Sequence, residues 1–181
     1  MPGLGYSWGE TEEERVALYP CDDLLPEPHQ ECWRAIDVDA PPPLVFRWLC
    51  QMRAAPYSYD WIDNFGRRSP QELTPGFDEL EIGQKMVAIF RLAQFEPGRS
   101  LTLWAPKSVF GKVAITYQVV PRGDEQSRIV VKLCVVYPWP VIGPIMRHVP
   151  PIGDWIMMRK QLLNFKRLAE RDARRAERTA A

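Results

Sequence analysis

A chain of 181 residues, 46% apolar and 25% charged, is long enough for one domain with a substantial core and has an ordinary globular composition. Its 23 basic and 23 acidic side chains cancel, which argues against the strong basic excess of a dedicated nucleic-acid binder. No apolar run approaches the ~18 residues of a membrane span. The Met1-Pro2-Gly3-Leu4-Gly5 start lacks the basic-then-apolar pattern of a secretory signal, so a cytoplasmic protein is expected.

The charge is unevenly placed. Residues 1–31 hold eight acids against Arg15 alone, and residues 159–178 hold eight basic residues against Glu170, Asp172 and Glu177. Both read as solvated surfaces; the alternatives are a contact between arm and helix, or a basic face for an anionic membrane. The four cysteines (Cys21, Cys32, Cys50, Cys134) form no CxxC, and His29 and His148 are the only histidines. No metal and no cofactor is expected, and the thiols read as structural and reduced.

In chain order, residues 1–31 read as an acidic arm and residues 32–181 as the domain. Thr11 and Glu14 fit a capping box for a short helix that Pro20 stops. Residues 33–38 alternate as a first strand. Asp39 is the expected cap of a helix whose first turn holds Pro41 to Pro43, with Leu44, Trp48 and Met52 on one stripe beside Val45 and Leu49. Pro56 breaks it, and residues 57–65 form a second short helix or turn. A strand is expected around 79–82, and another over 85–95 with Met86, Ala88, Phe90 and Leu92 on one face.

Two turns, Glu96-Pro97-Gly98 and Pro121-Arg122-Gly123-Asp124, then separate strands over 100–105, 111–120 and 128–137. Val113, Ile115, Tyr117 and Val119 oppose Lys112, Thr116 and Gln118. Ile129, Val131, Leu133 and Val135 oppose Arg128, Lys132 and Cys134. Such alternation implies an antiparallel meander with one face buried and one largely wet. After a proline-broken connection (138–153), Asp154 is the expected cap of a helix reaching about Arg175. Its stripe is Trp155, Met158, Leu162, Phe165 and Ala169, and its roughly 33 Å would cross a whole sheet.

The segments Arg34-Ala35-Ile36-Asp37-Val38-Asp39-Ala40-Pro41, Val45-Phe46-Arg47-Trp48-Leu49, Tyr57-Ser58-Tyr59-Asp60 and Leu80-Glu81-Ile82-Gly83 resemble an actinobacterial-type branch of the polyketide cyclase/START-like superfamily (SRPBCC) over roughly residues 31–175. The resemblance implies an α+β helix-grip fold: a curved antiparallel sheet wrapped around a long C-terminal helix, with two short helices after strand one. It also implies an apolar cavity between sheet and helix. Phe90, Leu92, Leu103, Ile115, Tyr117, Leu133 and Val135 would form the sheet wall. Trp155, Met158 and Leu162 would form the helix wall, with Tyr57, Tyr59 and Trp61 near the open end.

Three functions are compatible with that fold. The first is binding of a hydrophobic or amphipathic small molecule such as a lipid, isoprenoid or polyketide, with Tyr57, Tyr59, Tyr117 or Asp60 orienting its polar end. The second is a cyclase or dehydratase with tyrosine and aspartate as acid and base; its candidates are Tyr57, Tyr59, Asp60 and His148. The third is an interaction module with a filled cavity. The expected partner is a small molecule and not nucleic acid. The basic helix and the Pro/Ile/Val-rich connection leave a peripheral membrane contact open, and the oligomeric state is not readable.

Overall fold

The structure, a computed structural model, describes residues 6–64, 66–87, 89–108, 111–137 and 149–180, with side chains of the last segment from 156 to 179. A short strand β1 (Ser7–Trp8), helices α1 (Glu12–Val16) and α2 (Pro20–Leu24), and strand β2 (Gln30–Val38) open the fold. Helix α3 (Pro42–Cys50), a 3-10 turn (Gln51–Arg53) and a single-turn helix α4 (Asp60–Asp63) follow. Then come β3 (Arg91–Glu96), β4 (Ser100–Ser108), β5 (Gly111–Pro121), β6 (Ser127–Val136) and the long helix α5 (Val149–Ala180). Among the described residues the sheet has six strands in the order β1-β2-β6-β5-β4-β3, antiparallel except for the parallel β1–β2 pair.

The period-2 pattern sets the faces as expected. Val113, Ile115, Tyr117 and Val119 of β5 and Ile129, Val131, Leu133 and Val135 of β6 turn inward into one cluster. From the other side Trp48, Leu49 and Met52 meet them, with Leu162, Phe165, Leu168 and Ala169 of α5. Helix α5 is 32 residues long, about 48 Å at 1.5 Å per residue, and begins at Val149, upstream of the expected cap Asp154.

The outer face is not wet. Every residue of β6 from Ser127 to Val135 is buried, because the arm lies across the back of the sheet. Tyr19, Cys21 and Leu25 pack on Ala35, Ala114, Val130 and Cys134 in a second apolar cluster. The Cys21 N–H donates to the Thr116 hydroxyl at 3.0 Å, and Thr116 bonds Thr102 at 3.0 Å. The two outward cations of β6 acquire acidic partners. Lys132 meets Asp22 at 2.7 Å and Glu31 at 2.8 Å, and Arg128 meets Glu14 at 2.5 Å and Asp37 at 2.9 Å. The acidic arm therefore contacts the sheet, where its carboxylates pair with the cations of β6, and it also meets the basic helix, with the Arg159 guanidinium 5.5 Å from the Trp8 ring centroid.

The arm's first turn depends on Gly9. Its φ is +80°, and a Cβ there would run into the carbonyl oxygen of Ala35. Its own carbonyl accepts from Arg128 Nη2 at 2.6 Å. Gly9→Ala is therefore expected to lift the start of the arm and cost about 1–3 kcal/mol. Limited proteolysis should show faster cleavage within residues 6–31 and an unchanged rate in the sheet.

Local readings fared unevenly. The Thr11–Glu14 capping box is present in both directions, at 3.2 and 2.8 Å. Asp39 does not cap α3: Pro41 holds the cap position without a side-chain bond. The prolines have already removed N–H groups from that first turn, leaving little to cap. Asp39 instead accepts from the Gln126 side chain at 3.0 Å, and its N–H donates to Glu170 at 3.1 Å. The second helix shrinks to Asp60–Asp63.

No strand forms at 79–82, where the chain turns. The expected strand over 85–95 is two segments. The chain reverses between Val87 and Phe90, so that Gly83 donates to Leu92 and Leu92 to Gln84, at 2.7 and 2.9 Å. A reversal inside an apolar alternating run leaves no composition signal without Pro, Asn or Asp.

Candidate functional site

The expected opening of the grip lies at residues 56–60. Here the chain leaves α3 and meets α5, and two amides on α5 receive it. Gln161 Nε2 donates to the Pro56 carbonyl at 2.6 Å, and Asn164 Nδ2 donates to the Tyr57 carbonyl at 2.7 Å. Gln161 Oε1 accepts the Tyr117 hydroxyl of β5 at 2.8 Å. One amide side chain thereby ties the sheet, the loop and the long helix together.

Between those contacts Tyr57 has φ +57°, a left-handed conformation that a bulky side chain adopts only when its surroundings hold it there. The ring is 1% exposed. It meets Trp48 edge-on at 6.1 Å and Phe165 at 5.1 Å. Its hydroxyl is buried and has no hydrogen-bond partner among the described residues. Burial, helped by the Asp60 charge, pushes the phenol above its ordinary range, so it is a donor at any physiological pH.

The other expected residues divide. Leu92, Leu103, Ile115, Tyr117, Leu133, Val135, Met158 and Leu162 are all buried in the cluster between sheet and helix, and Phe90 packs against it half-buried. Tyr59 is half-buried and lines a hollow of about 100 Å³ with Ile156, Arg159, Lys160 and Leu163. That volume is well below the ~300–1,000 Å³ of a small-molecule pocket, so at the described residues the hollow fits only a ligand's end. Trp61 is 75% exposed and Tyr57 points into the core, so the three aromatics do not share one rim. The Trp155 side chain and His148 lie outside the described residues.

The carboxylates near this site are engaged. Asp60 accepts both the N–H of Ser69, at 2.8 Å, and its hydroxyl, which anchors the following loop. Asp63 accepts the Ser58 hydroxyl, and burial raises its pKa despite that bond. Gln161 and Asn164 escaped the sequence reading, although one sign was present. Gln161 stands three residues after Met158 and beside Leu162, on the apolar stripe of α5, where a polar side chain needs a buried partner.

No protein-family model matches the chain, and no curated protein matches it in sequence. Solved structures do match in fold. Protein MLL2253 from Mesorhizobium loti aligns at 12% identity over 78% of this chain and 98% of its own, with a TM-score of 0.51. TTHA0849 from Thermus thermophilus aligns at 18% identity over 77% and 96%, with a TM-score of 0.50. A START superfamily protein from Mycobacterium smegmatis aligns more loosely, at 16% identity over 81% and 98% and a TM-score of 0.47. The chain has an α+β helix-grip fold, a six-stranded open sheet with the long helix across it. No helix among the described residues is long and apolar enough to cross a membrane.

Proposed function

We propose that this protein binds a hydrophobic or amphipathic small molecule, of the lipid, isoprenoid or polyketide kind, between its sheet and α5. The Tyr57 hydroxyl would donate to the ligand's polar end. The observation that carries this reading is that phenol: buried, held by a strained backbone, and without a partner among the described residues. An unmet buried hydroxyl costs about 1–3 kcal/mol, so a molecule that brings an acceptor recovers that penalty on binding. Tyr117 is already bonded to Gln161, which leaves Tyr57 as the available donor of the pair. The side chains of Leu103, Ile115, Leu133 and Met158 supply apolar walls for the ligand's body. Asp60 and Asp63, the bases that a cyclase or dehydratase would need, are held by Ser69 and Ser58, which favours binding over proton abstraction.

Native mass spectrometry with organic extraction tests the reading. The expected result is one apolar molecule per chain, or uptake of one when fatty acids, isoprenoid alcohols or aromatic polyketides are added. A bare chain that takes up none of them overturns it. Tyr57→Phe is expected to leave the unliganded fold as stable or slightly more stable. It should weaken ligand retention about fivefold to tenfold, the equivalent of one hydrogen bond. Unchanged retention would remove Tyr57 from the site while leaving binding itself standing.

A further inference from the structure

The back of the sheet carries a group of reactive side chains that the ligand reading does not use. Cys21 of α2 and Cys134 of β6, 113 positions apart in sequence, face each other across the seam between arm and sheet with their sulfurs 3.9 Å apart. Both are fully buried. Cys21 Sγ also lies 3.7 Å from the Lys132 carbonyl oxygen, and Cys134 Sγ lies 3.6 Å from Asp22 Oδ1. Cys32 and Cys50 lie in the other cluster, on the inner side of the sheet.

We propose that Cys21 and Cys134 are a redox-responsive latch: a hydroperoxide oxidises the pair to a disulfide that clips the arm to the sheet. A disulfide needs its sulfurs at about 2.05 Å, so the pair must close by roughly 2 Å. The surroundings favour thiol chemistry over cation binding. Cys21, Asp22 and Cys134 bring one ligand atom each within 4.8 Å of one another. The same Asp22 oxygen, however, already takes the Lys132 ammonium at 2.7 Å, which supplies the positive charge.

The two thiols are also unequal. The neighbouring Cys134 thiol, with the Thr116 hydroxyl, holds Cys21 below the ordinary thiol range against its burial. The bond to Cys21 and burial push Cys134 well above it. Cys21 rides on α2 and moves into solvent with it when the arm lifts, whereas Cys134 stays fixed on β6; Cys21 is thus the attacking sulfur and Cys134 the resolving one.

The chemistry balances in two steps. The Cys21 thiolate attacks the outer oxygen of the hydroperoxide, giving a sulfenic acid and releasing an alkoxide, or hydroxide from hydrogen peroxide, which takes a proton. Cys134 then attacks the sulfenic sulfur, the S–S bond forms, and hydroxide departs as water with the Cys134 proton. Two thiols lose two electrons and the peroxide gains them. With the arm docked both sulfurs are shielded, so the first step belongs to moments when α2 lifts, and re-docking brings up the resolving thiol. A lifted arm is therefore recorded as a covalently closed one.

Hydrogen peroxide at equimolar ratio, followed by alkylation of the native full chain and peptide mapping, tests this. The expected product is a single Cys21–Cys134 cross-linked peptide, with Cys32 and Cys50 recovered as free thiols after unfolding. Protease cleavage within residues 6–31 should slow in the oxidised protein and return to the starting rate with dithiothreitol. In Cys134→Ser, a dimedone adduct should accumulate on Cys21. Recovery of Cys21 and Cys134 unlinked, as thiols or sulfinic acids, overturns the latch. Cross-links to Cys32 or Cys50, or an arm no better protected after oxidation, overturn it equally. The wild-type measurements decide the matter even where a serine variant does not fold.

Discussion

Trp48→Ala is expected to lower the unfolding free energy by about 3–5 kcal/mol, a large part of the ~5–15 kcal/mol typical of a single domain. The indole is fully buried on α3 and joins three elements. Its ring braces Tyr57 edge-on, its Nε1 donates to Asp172 Oδ2 of α5 at 3.2 Å, and the Arg171 guanidinium lies 5.9 Å from its centroid. Alanine would leave a void between α3, α5 and residues 56–57. These cannot all close on it, because the Gln161 and Asn164 bonds fix the loop.

A urea titration checks this. The midpoint should fall with little change in slope. A loss below about 1 kcal/mol would mean that the sheet–helix seam collapses freely around the deletion. Leu18→Ala, at a residue 91% exposed, serves as the control and should change stability by less than about 0.5 kcal/mol.

Arg128→Met is the second large effect, expected to cost about 3–5 kcal/mol and to weaken the arm's hold on the sheet while the arm stays docked through Tyr19, Cys21 and Leu25. Arg128 is nearly buried, and its guanidinium reaches Glu14 through both Nε and Nη2, Asp37 through Nη1 and the Gly9 carbonyl through Nη2. Methionine fills similar space but leaves the largely covered Glu14 carboxylate without its counter-charge. Burial opposes ionisation of Glu14. The hydrogen bonds from Arg128 and the Thr11 N–H, with the charges of Arg128 and Arg122, outweigh it and hold the carboxyl below its usual range.

A carboxyl depressed in the folded state adds stability above its unfolded-state pKa, near 4.5, and that stability is lost as pH falls through the folded value. Wild-type stability should therefore decline in acid below about pH 4.5. In Arg128→Met the unpaired Glu14 is expected to titrate upward, so acid should relieve the defect. The gap between the two proteins, read by denaturant melts from pH 7 down to about pH 4, should narrow. A gap that stays constant would show that the cost lies in packing rather than in the ion pair.

Much of the grip was legible because period-2 and period-3.6 patterns survive without knowledge of partners. The alternation of residues 111–120 and 128–137 assigned inward and outward sides that the structure keeps, and the stripe Met158-Leu162-Phe165-Ala169 marked the buried side of α5. The candidate site was legible only in outline. Tyr57 was named from its residue type, but its left-handed backbone and unmet hydroxyl belong to a setting made by Trp48, Asn164 and Phe165, up to 108 positions away. Trp61 stands two residues after Tyr59 in the single turn Asp60–Asp63, and it is exposed where Tyr59 is half-buried.

By itself the sequence determined the strand phases, the amphipathic helices and the capping box at Thr11, since each depends on residues within a few positions of one another. Only the tertiary structure decided the fate of the sheet's outer face. Thr116, Arg128, Lys132 and Cys134 alternate with apolar residues just as solvent-facing side chains do, so local pattern reads them as wet. They are buried because Glu14, Cys21 and Asp22, about a hundred residues earlier, return over the sheet to cover and pair them. Alternation reports which side of the sheet a residue faces. What covers that side is set by long-range docking, and here an acidic arm matches two cations that a strand presents on its back.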